Sequence, residues 1–134
     1  MATISTQIAR QYSDLDLNFN IHPMKKDINK NVGDLAVINA LKYLILTNHY
    51  ERPFQPDLGS NVRKLLFENL DIVTAAALER EIQQTIKNYE PRVNLLSVSV
   101  VPNFDNNAFS VSMQFNIVNR TEPVSITFQL ERIR

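Results

Sequence analysis

The chain contains no cysteine, no tryptophan and only two glycines among its 134 residues. The lack of cysteine excludes a disulfide framework, cysteine-ligated zinc and thiol catalysis. Gly33 and Gly59 are too few and too widely spaced to form a glycine-rich phosphate loop. No apolar run approaches the roughly 18 residues of a membrane span, and residues 1–10 lack the apolar core of a signal peptide. We therefore expect no membrane partner.

Positive and negative charge are in balance, since 14 Lys and Arg residues match 14 Asp and Glu residues. Proteins that bind duplex DNA usually carry a basic stripe and a high pI, so we expect no nucleic-acid partner. The one local basic cluster, between Lys25 and Lys30, is interrupted by Asp27 and favours a solvated loop. A chain of this length is most simply one domain, with a core that needs no disulfide or metal.

The N-terminal part of the chain predicts an arm, a strand and a loop. Residues 1–14 are polar and aperiodic and are assigned to an N-terminal arm, which leaves residues 15–134 as the folded domain. A strand is predicted where apolar residues alternate with polar ones, at Leu15, Leu17, Phe19 and Ile21. Residues 25–32 are polar and are expected to form a loop.

Helical periodicity follows in the middle of the chain. Asp34 is the predicted N-cap of a helix that ends near Thr47, and Ser60 is the predicted N-cap of a short helix after a proline-rich turn region. Asp71 is expected to cap a longer helix, which Pro91 ends because proline has no N–H and clashes with the preceding turn. The apolar stripe of this helix consists of Ala75, Leu78, Ile82, Ile86 and Tyr89.

The last third of the chain alternates with period two in three stretches separated by polar turns. The apolar positions are Leu96, Val98 and Val100, then Phe109, Val111, Met113, Phe115 and Ile117, and finally Ile126, Phe128 and Leu130. Short connections predict an antiparallel β-meander, whose apolar face must be covered by helices. The predicted fold class is α+β, a single domain with a helical layer packed on a three- to four-stranded, mainly antiparallel sheet. Residues 124–131 contain no lysine or proline, so this strand is a poorly protected edge that invites strand addition.

Glu90, Pro91 and Arg92 concentrate charge and fixed geometry between the long helix and the meander. Pro91 pushes Glu90 toward an extended backbone, and side chains two apart on such a backbone point the same way. A charged pair at a rigid corner can serve catalysis, a structural network or docking. Guanidinium groups match carboxylates bidentately, so Arg92 and Arg52 suit pairing with acidic groups of a partner.

Arg52, Pro53 and Phe54 form a second motif in which proline fixes the backbone beside an arginine. One interpretation is an ordinary turn in which Phe54 fills the core. The other is a second rigid arginine near the Glu90–Arg92 corner. The two interpretations are compatible, and the sequence leaves both open.

The sequence predicts no catalytic residues, metal ligands or cofactor-binding residues. Hydrolysis by a carboxylate pair needs two acids that face each other across a cleft, and the sequence places no two acids in this way. Glu90 alone is a poor general acid at neutral pH, because Arg92 lies two residues away. His22 and His49 lie in separate segments without a third ligand nearby.

Several motifs occur in order from about Asp34 to the end of the chain. They are Arg52-Pro53-Phe54, Pro56, Gly59, Leu66-Phe67-Glu68-Asn69 and Asn88-Tyr89-Glu90-Pro91-Arg92. With a helix before the Glu-Pro-Arg triplet and a meander after it, the chain resembles the small baseplate wedge proteins of contractile-tailed bacteriophages. This family is often labelled lysozyme-like and has relatives in type VI secretion systems and contractile bacteriocins.

The resemblance implies a structural, non-enzymatic role in the virion, in a tail baseplate assembled in the host bacterial cytoplasm. Family members resemble sheath initiators, which ring the tail tube and template the first layer of sheath. The implied partners are other wedge subunits through their helical core bundle, the tail sheath protein, and tail tube or hub proteins. The implied partner-binding residues are Tyr89, Glu90, Pro91, Arg92, Arg52, Pro53 and Phe54. The alternative function is that of a tail-associated peptidoglycan hydrolase.

Overall fold

A computed structural model of the chain describes residues 12–132. Its elements are β1 (Ser13–Leu15), β2 (Lys30–Val32), α1 (Asp34–Leu46), α2 (Val62–Leu65), α3 (Ile72–Tyr89), β3 (Val93–Asn103), β4 (Ala108–Ile117) and β5 (Pro123–Glu131). Strands β3, β4 and β5 form a three-stranded antiparallel sheet, and β1 and β2 form a separate antiparallel ribbon. The predicted α+β class with a C-terminal meander is therefore confirmed. Of the predicted N-terminal arm, residues 1–11 lie outside the described residues, while Ser13 and Asp14 belong to β1.

The central strand of the meander is β4, and its alternation matches its burial. Its inward side chains, all buried, are Phe109, Val111, Met113, Phe115 and Ile117. Pairing between β4 and β5 runs without a shift from Ala108 opposite Glu131 to Asn116 opposite Pro123. The apolar side chains of β5 are less well covered, since those of Val124, Ile126 and Phe128 are only half-buried.

Strand β3 departs from the regular pattern at one position. Its pairing with β4 shifts between Leu95 and Ser97, so that Leu96 has no partner on β4. The extra residue is a β-bulge, and the Leu96 side chain is 56% exposed. The prediction that Leu96 shares the apolar face of Val98 is wrong, because a bulge shifts the alternation by one residue.

Helix α3 packs on β3 and forms much of the helical layer. Its predicted stripe is buried in the common core at Ala75, Leu78, Ile82 and Ile86. Asp71 is its N-cap, as predicted, and accepts a hydrogen bond of 2.7 Å from the Thr74 N–H. The helix ends at Tyr89, with Glu90 as its C-cap and Pro91 directly after it. The cap, the stripe and the stop therefore all lie where the sequence predicted them.

The two other predicted helix starts are wrong by one residue. Gly33 is the N-cap of α1, with a φ of 68° that glycine adopts at little steric cost. Asp34 is the first helical residue, and its carboxylate accepts a 2.6 Å hydrogen bond from Arg120 Nη1 instead of capping the helix. Ser60 precedes the N-cap of α2, which is Asn61. The Ser60 hydroxyl donates to the Ile45 carbonyl of α1 at 2.6 Å and also accepts a hydrogen bond from the Val62 N–H at 3.3 Å, so it still binds the first turn of α2.

The strand predicted over residues 15–21 is also wrong. Strand β1 ends at the first of these residues. Asp16 accepts hydrogen bonds from the Asn18 N–H at 3.0 Å and from Asn20 Nδ2 at 2.8 Å, which folds the chain into a local turn. Phe19 has a positive φ of 54° in this turn. The partner of β1 is β2, which lies in the stretch predicted to be a loop.

Candidate docking site

Glu90 and Arg92 form a bidentate ion pair at the corner between α3 and β3. Arg92 Nε lies 2.7 Å from Glu90 Oε1, and Arg92 Nη2 lies 2.9 Å from Glu90 Oε2. Glu90 is 6% exposed, and Pro91 fixes the backbone between the two charges. The structure thus brings the two side chains together, as their spacing predicted. A nearly buried carboxylate with both oxygens bound to one guanidinium makes this corner rigid.

The Arg92 guanidinium makes two further contacts within the chain. Its Nη1 lies 3.3 Å from Asp14 Oδ2, and its Cζ lies 5.5 Å from the centre of the Tyr12 ring, within the range of a cation–π contact. Hydrogen bonding to Glu90 raises the pKa of Arg92 above its ordinary value and outweighs burial, which lowers it. The guanidinium expected to pair with a partner's carboxylate is therefore already occupied by carboxylates of its own chain.

The loop between α1 and α2 is fixed to the same corner. The Tyr89 hydroxyl donates a hydrogen bond to the Asp57 carbonyl. The two ends of the loop meet where the Ser60 N–H donates to the Thr47 carbonyl at 2.8 Å. Gly59 has a φ of 126°, and a Cβ there would lie 2.6 Å from the Thr47 oxygen, so a larger residue requires the backbone to move.

Arg52, Pro53 and Phe54 lie in this loop and are all exposed. Phe54 is 98% exposed, so the interpretation that it fills the core is wrong. The loop closes across its own backbone, with the Tyr50 N–H donating to the Pro56 carbonyl at 2.8 Å, and its tip projects into solvent. Arg52 does lie near the Glu90–Arg92 corner, as the second interpretation expected, because these residues line one groove.

One groove of about 390 Å³ brings together four of the residues predicted to bind partners, Arg52, Tyr89, Glu90 and Arg92. Pro91 lines a different groove, of about 600 Å³, between α3 and β3. Pro53 and Phe54 line neither groove. We call the groove lined by Arg52, Tyr89, Glu90 and Arg92 the docking groove.

The sequence analysis missed the other residues that line the docking groove. Leu15 and Leu17 form one wall, next to the Asp14 that binds Arg92. Helix α1 contributes the half-buried residues Ala40, Tyr43 and Leu44 and the fully buried Ala36. These positions follow one another at helical spacing beside the core stripe of the same helix, which contains Val37, Leu41 and Ile45. The second apolar stripe of α1, beside its core stripe, is the sequence pattern that could have predicted these lining residues.

The corner offers a fixed surface whose charges are largely neutralised within the chain. Within residues 12–132, no group of three or more His, Cys, Asp or Glu side chains could hold a metal ion. His22 Nδ1 lies 3.3 Å from the N–H groups of both Met24 and Lys25, and His49 Nδ1 lies 3.0 Å from the Asp57 carbonyl oxygen. None of the helices in this part of the chain has both the length and the apolar character needed to cross a membrane.

Several solved structures share this fold. A chain of the anti-feeding prophage baseplate matches with a TM-score of 0.71 and 21% identity, over 82% of this chain and 88% of that one. The putative tail lysozyme from Geobacter sulfurreducens has a TM-score of 0.67 and 18% identity, over 73% and 89% of the two chains. A chain of the baseplate complex from the type VI secretion system has a TM-score of 0.59 and 17% identity, over 72% and 90%. At these identities the likeness concerns the fold alone.

Sequence comparison identifies the family. The family model described as Baseplate wedge protein gp25 matches residues 32–122, which include the Arg52 loop and the Glu90–Arg92 corner. Baseplate wedge protein gp25 of Enterobacteria phage T4 is 32% identical over 117 residues, which cover 87% of this chain and 88% of the relative. The resemblance found from the sequence motifs is therefore confirmed. The chain belongs to the baseplate wedge protein gp25 family.

Proposed function

We propose that the protein is a structural component of the baseplate wedge of a contractile phage tail, where it docks on the helical core bundle of the wedge and templates the first layer of tail sheath. Family membership supports the baseplate role, because the T4 relative is a baseplate wedge protein. The protein accordingly resides in the tail of the virion and joins it in the host bacterial cytoplasm. Its partners are the other wedge subunits and the sheath protein, with tail tube or hub proteins as further neighbours.

The observation that carries the docking proposal is the rigid corner. Arg92 binds Glu90, the C-cap of α3, and Asp14 of β1, so the corner and the N-terminal ribbon are held in one arrangement. A surface that is ordered in advance loses little conformational entropy when a partner binds. Leu15 and Leu17 beside it are 59% and 46% exposed, which supplies apolar surface of the kind that interfaces bury.

The proposal that the sheet templates sheath rests on β5. In the described chain this strand lies at one edge of the sheet and pairs with β4 in unbroken register. Its apolar side chains Val124, Ile126 and Phe128 are half-buried, and an added strand would cover them further. Strand β3, at the other edge, carries the bulge at Leu96, and bulges disfavour regular strand addition. The regular edge strand β5 therefore supports the proposal that a sheath strand is added to this sheet.

Docking is tested with the purified wedge subunits of the same tail. We expect the wild-type protein to co-elute with them in gel filtration. Leu17→Glu places a charge in the exposed apolar surface and should prevent co-elution, while the circular dichroism spectrum and the Tm stay those of the wild type. Ile72→Glu is the matched control, since Ile72 is 78% exposed at the far end of α3 from the corner. Wild-type affinity in the Leu17→Glu variant would contradict docking at this surface.

Templating is tested by adding sheath protein to assembled baseplates and counting sheathed particles by electron microscopy. Thr127→Lys introduces a charge on the exposed side of β5, and lysines on edge strands oppose further pairing. We expect this variant to enter baseplates but to start few sheaths. Ser99→Lys makes the same change at an exposed position of β3 and should leave sheath formation unchanged. Equal sheath counts for the two variants would refute templating through β5.

We propose a non-enzymatic role, even though the Geobacter protein of similar fold is described as a putative tail lysozyme. Both carboxylate oxygens of Glu90 accept hydrogen bonds from Arg92, so neither is free to face a sugar. The hydrolase alternative is tested by incubating the purified protein with peptidoglycan at acidic and neutral pH. Release of reducing sugars that disappears in Glu90→Gln would establish hydrolysis and overturn the proposal, whereas an inert wild-type protein supports it.

A further inference from the structure

The ribbon of β1 and β2 continues into an ordered hairpin that ends in a tight turn. Ile21 and Ile28 face each other across the hairpin in an antiparallel bridge. At its end the His22 N–H donates a hydrogen bond of 2.8 Å to the Asp27 carbonyl. We call residues 19–28 the hairpin tip. In the described chain the hydrogen bonds of the tip all stay within the hairpin, so its shape does not depend on the body of the domain.

Four large apolar side chains of the hairpin tip are exposed to solvent. The exposed fractions are 65% for Phe19, 72% for Ile21, 89% for Met24 and 37% for Ile28. In the part of the chain that the structure describes, none of the four belongs to the hydrophobic core or packs against it. Several exposed apolar side chains in one short ordered segment are typical of a surface that another molecule covers.

Positive charge accompanies these apolar side chains. Lys25, Lys26 and Lys30 are all exposed, and Asp27 is the one acidic residue in the stretch of residues 17–30. Among the described residues, none of the three lysines forms an ion pair. The tip therefore carries an excess of positive charge, which is complementary to carboxylates on a partner.

The polar side chains of the hairpin indicate which class of molecule covers it. Asn18, Asn20 and Asn29 are exposed and are neighbours in sequence of the apolar residues. Their amide groups need hydrogen-bond partners when they are buried, and lipid chains offer none, whereas a protein surface does. Binding to the phosphates of a nucleic acid relies on positive charge and gives the exposed apolar side chains no role. The combination therefore favours a protein partner.

We infer that the hairpin tip inserts into an apolar cleft, bordered by carboxylates, on another protein of the same baseplate. This inference rests on the proposed baseplate role for the location of the partner. The surface is separate from β5 and from the docking groove, because the described lining of that groove includes Leu15 and Leu17 but no residue of the tip. The protein thereby gains a third contact surface, recognised by its combination of apolar and basic side chains.

The absence of cysteine from the chain permits a direct search for the partner. Met24→Cys is labelled with a benzophenone maleimide, assembled into baseplates with the other purified baseplate proteins of the same tail, and irradiated. We expect cross-links to one segment of one other protein, in which Asp or Glu residues border apolar ones. Phe104→Cys, on the turn between β3 and β4, is the matched control, since Phe104 is 70% exposed, and should give no cross-links to that segment.

Affinity for the cross-linked protein tests the charge of the tip. We expect the double variant Lys25→Glu with Lys26→Glu to raise the Kd at least tenfold, and lysines in place of the acidic residues of the partner to restore binding. The control is Arg63→Glu with Lys64→Glu, which reverses two neighbouring exposed charges on α2 and should leave the Kd unchanged.

The apolar contribution is measured with a second pair of variants. We expect Phe19→Ser to raise the Kd at least tenfold, whereas Phe104→Ser, the same change at a similarly exposed position, should not alter it. Since all these side chains are exposed, every variant should keep the wild-type Tm.

Several outcomes would overturn the inference. One is an unchanged Kd for both the charge-reversed tip and Phe19→Ser, in baseplates that still assemble, which would leave the proposed function standing. Cross-links only between copies of this chain would identify a different occupant. Binding to DNA or to phosphatidylglycerol vesicles that is lost on charge reversal, without a cross-link to another protein, would identify a different class of partner. Failure of the wild-type protein to enter baseplates would refute the proposed function itself, and the inference with it.

Discussion

The burial of Glu90 beside Arg92 allows a prediction of how much stability the pair contributes. Glu90 is 6% exposed, and among residues 12–132 Arg92→Ala leaves its carboxylate with one contact, 3.4 Å from the backbone nitrogen of residue 92. Removing one partner of a buried pair costs about 3–5 kcal/mol. Since the Arg92 side chain is itself 25% exposed, we expect the lower end of this range, about 3 kcal/mol of unfolding free energy. Loss of the more exposed contact to Asp14 adds less than about 1 kcal/mol.

A second ion pair in the same chain provides the control. Arg120 Nη1 lies 2.6 Å from Asp34 Oδ2, but the two side chains are 51% and 38% exposed. Exposed pairs contribute about 0.2–1 kcal/mol, so we expect Arg120→Ala to cost about 0.5 kcal/mol. The substitution is the same in both cases, and we expect most of the difference to come from the burial of Glu90.

Urea unfolding followed by far-ultraviolet circular dichroism at neutral pH measures both variants. With a slope of about 1.5 kcal/mol per molar urea, the transition midpoint should fall by about 2 M for Arg92→Ala and by about 0.3 M for Arg120→Ala. Replacing both Glu90 and Arg92 by leucine should recover much of the loss, because no uncompensated charge is then buried. Midpoints of the two single variants within about 0.3 M of each other would refute the reasoning that burial sets the contribution.

Three further substitutions test other features of the fold. Hydrogen bonds from the Thr74 backbone and side chain lower the pKa of Asp71. The ionised Asp71 carboxylate therefore stabilises the folded protein fully above about pH 4, and this stabilisation is lost as the pH falls through the lowered pKa. We expect the difference in Tm between the wild type and Asp71→Ala to become smaller in acid. Gly59→Ala should lower the unfolding free energy by about 1–3 kcal/mol in urea, because its Cβ meets the Thr47 carbonyl oxygen at a positive φ; an unchanged midpoint would contradict this. Phe54→Ser should change stability by no more than about 0.5 kcal/mol, since the ring is 98% exposed; a larger loss by thermal unfolding would show that the ring packs on the protein.

Sequence periodicity predicted the meander and α3 because several independent features agreed. In β4, the alternating apolar residues from Phe109 to Ile117 are also the buried ones. In α3, the Asp71 cap, the apolar stripe and the stop at Pro91 mark one element without conflict. Agreement between local preference and tertiary burial is what makes such elements predictable from one sequence.

The failures occur where a local hydrogen bond or a single extra residue overrides the hydrophobic pattern. Alternation from Leu15 to Ile21 is as regular as that of a strand, but Asp16 binds the following turn instead. The bulge at Leu96 leaves the composition of β3 strand-like and changes only its register. Neither event alters the periodicity on which the prediction was based.

Only the contacts between residues close in sequence could be predicted at the candidate site. Glu90 and Arg92 are two residues apart, so their pairing follows from an extended backbone at Pro91. Asp14 and Arg92 are separated by 78 positions in the sequence, and their contact depends on the path of the whole N-terminal half. The same applies to the α1 wall of the docking groove, because no spacing rule relates it to the corner.

Within the described residues, the two edge strands of the sheet, β3 and β5, differ in the regularity of their hydrogen bonding. Strand β3 is interrupted by its bulge and flanked by α3, whereas β5 is regular along its full length. A further strand can continue regular hydrogen bonding at β5, whereas the bulge disfavours the addition of a strand to β3. Under the proposed templating function, an array of sheath strands that starts on this protein therefore acquires a polarity, because it continues from β5 and not from β3.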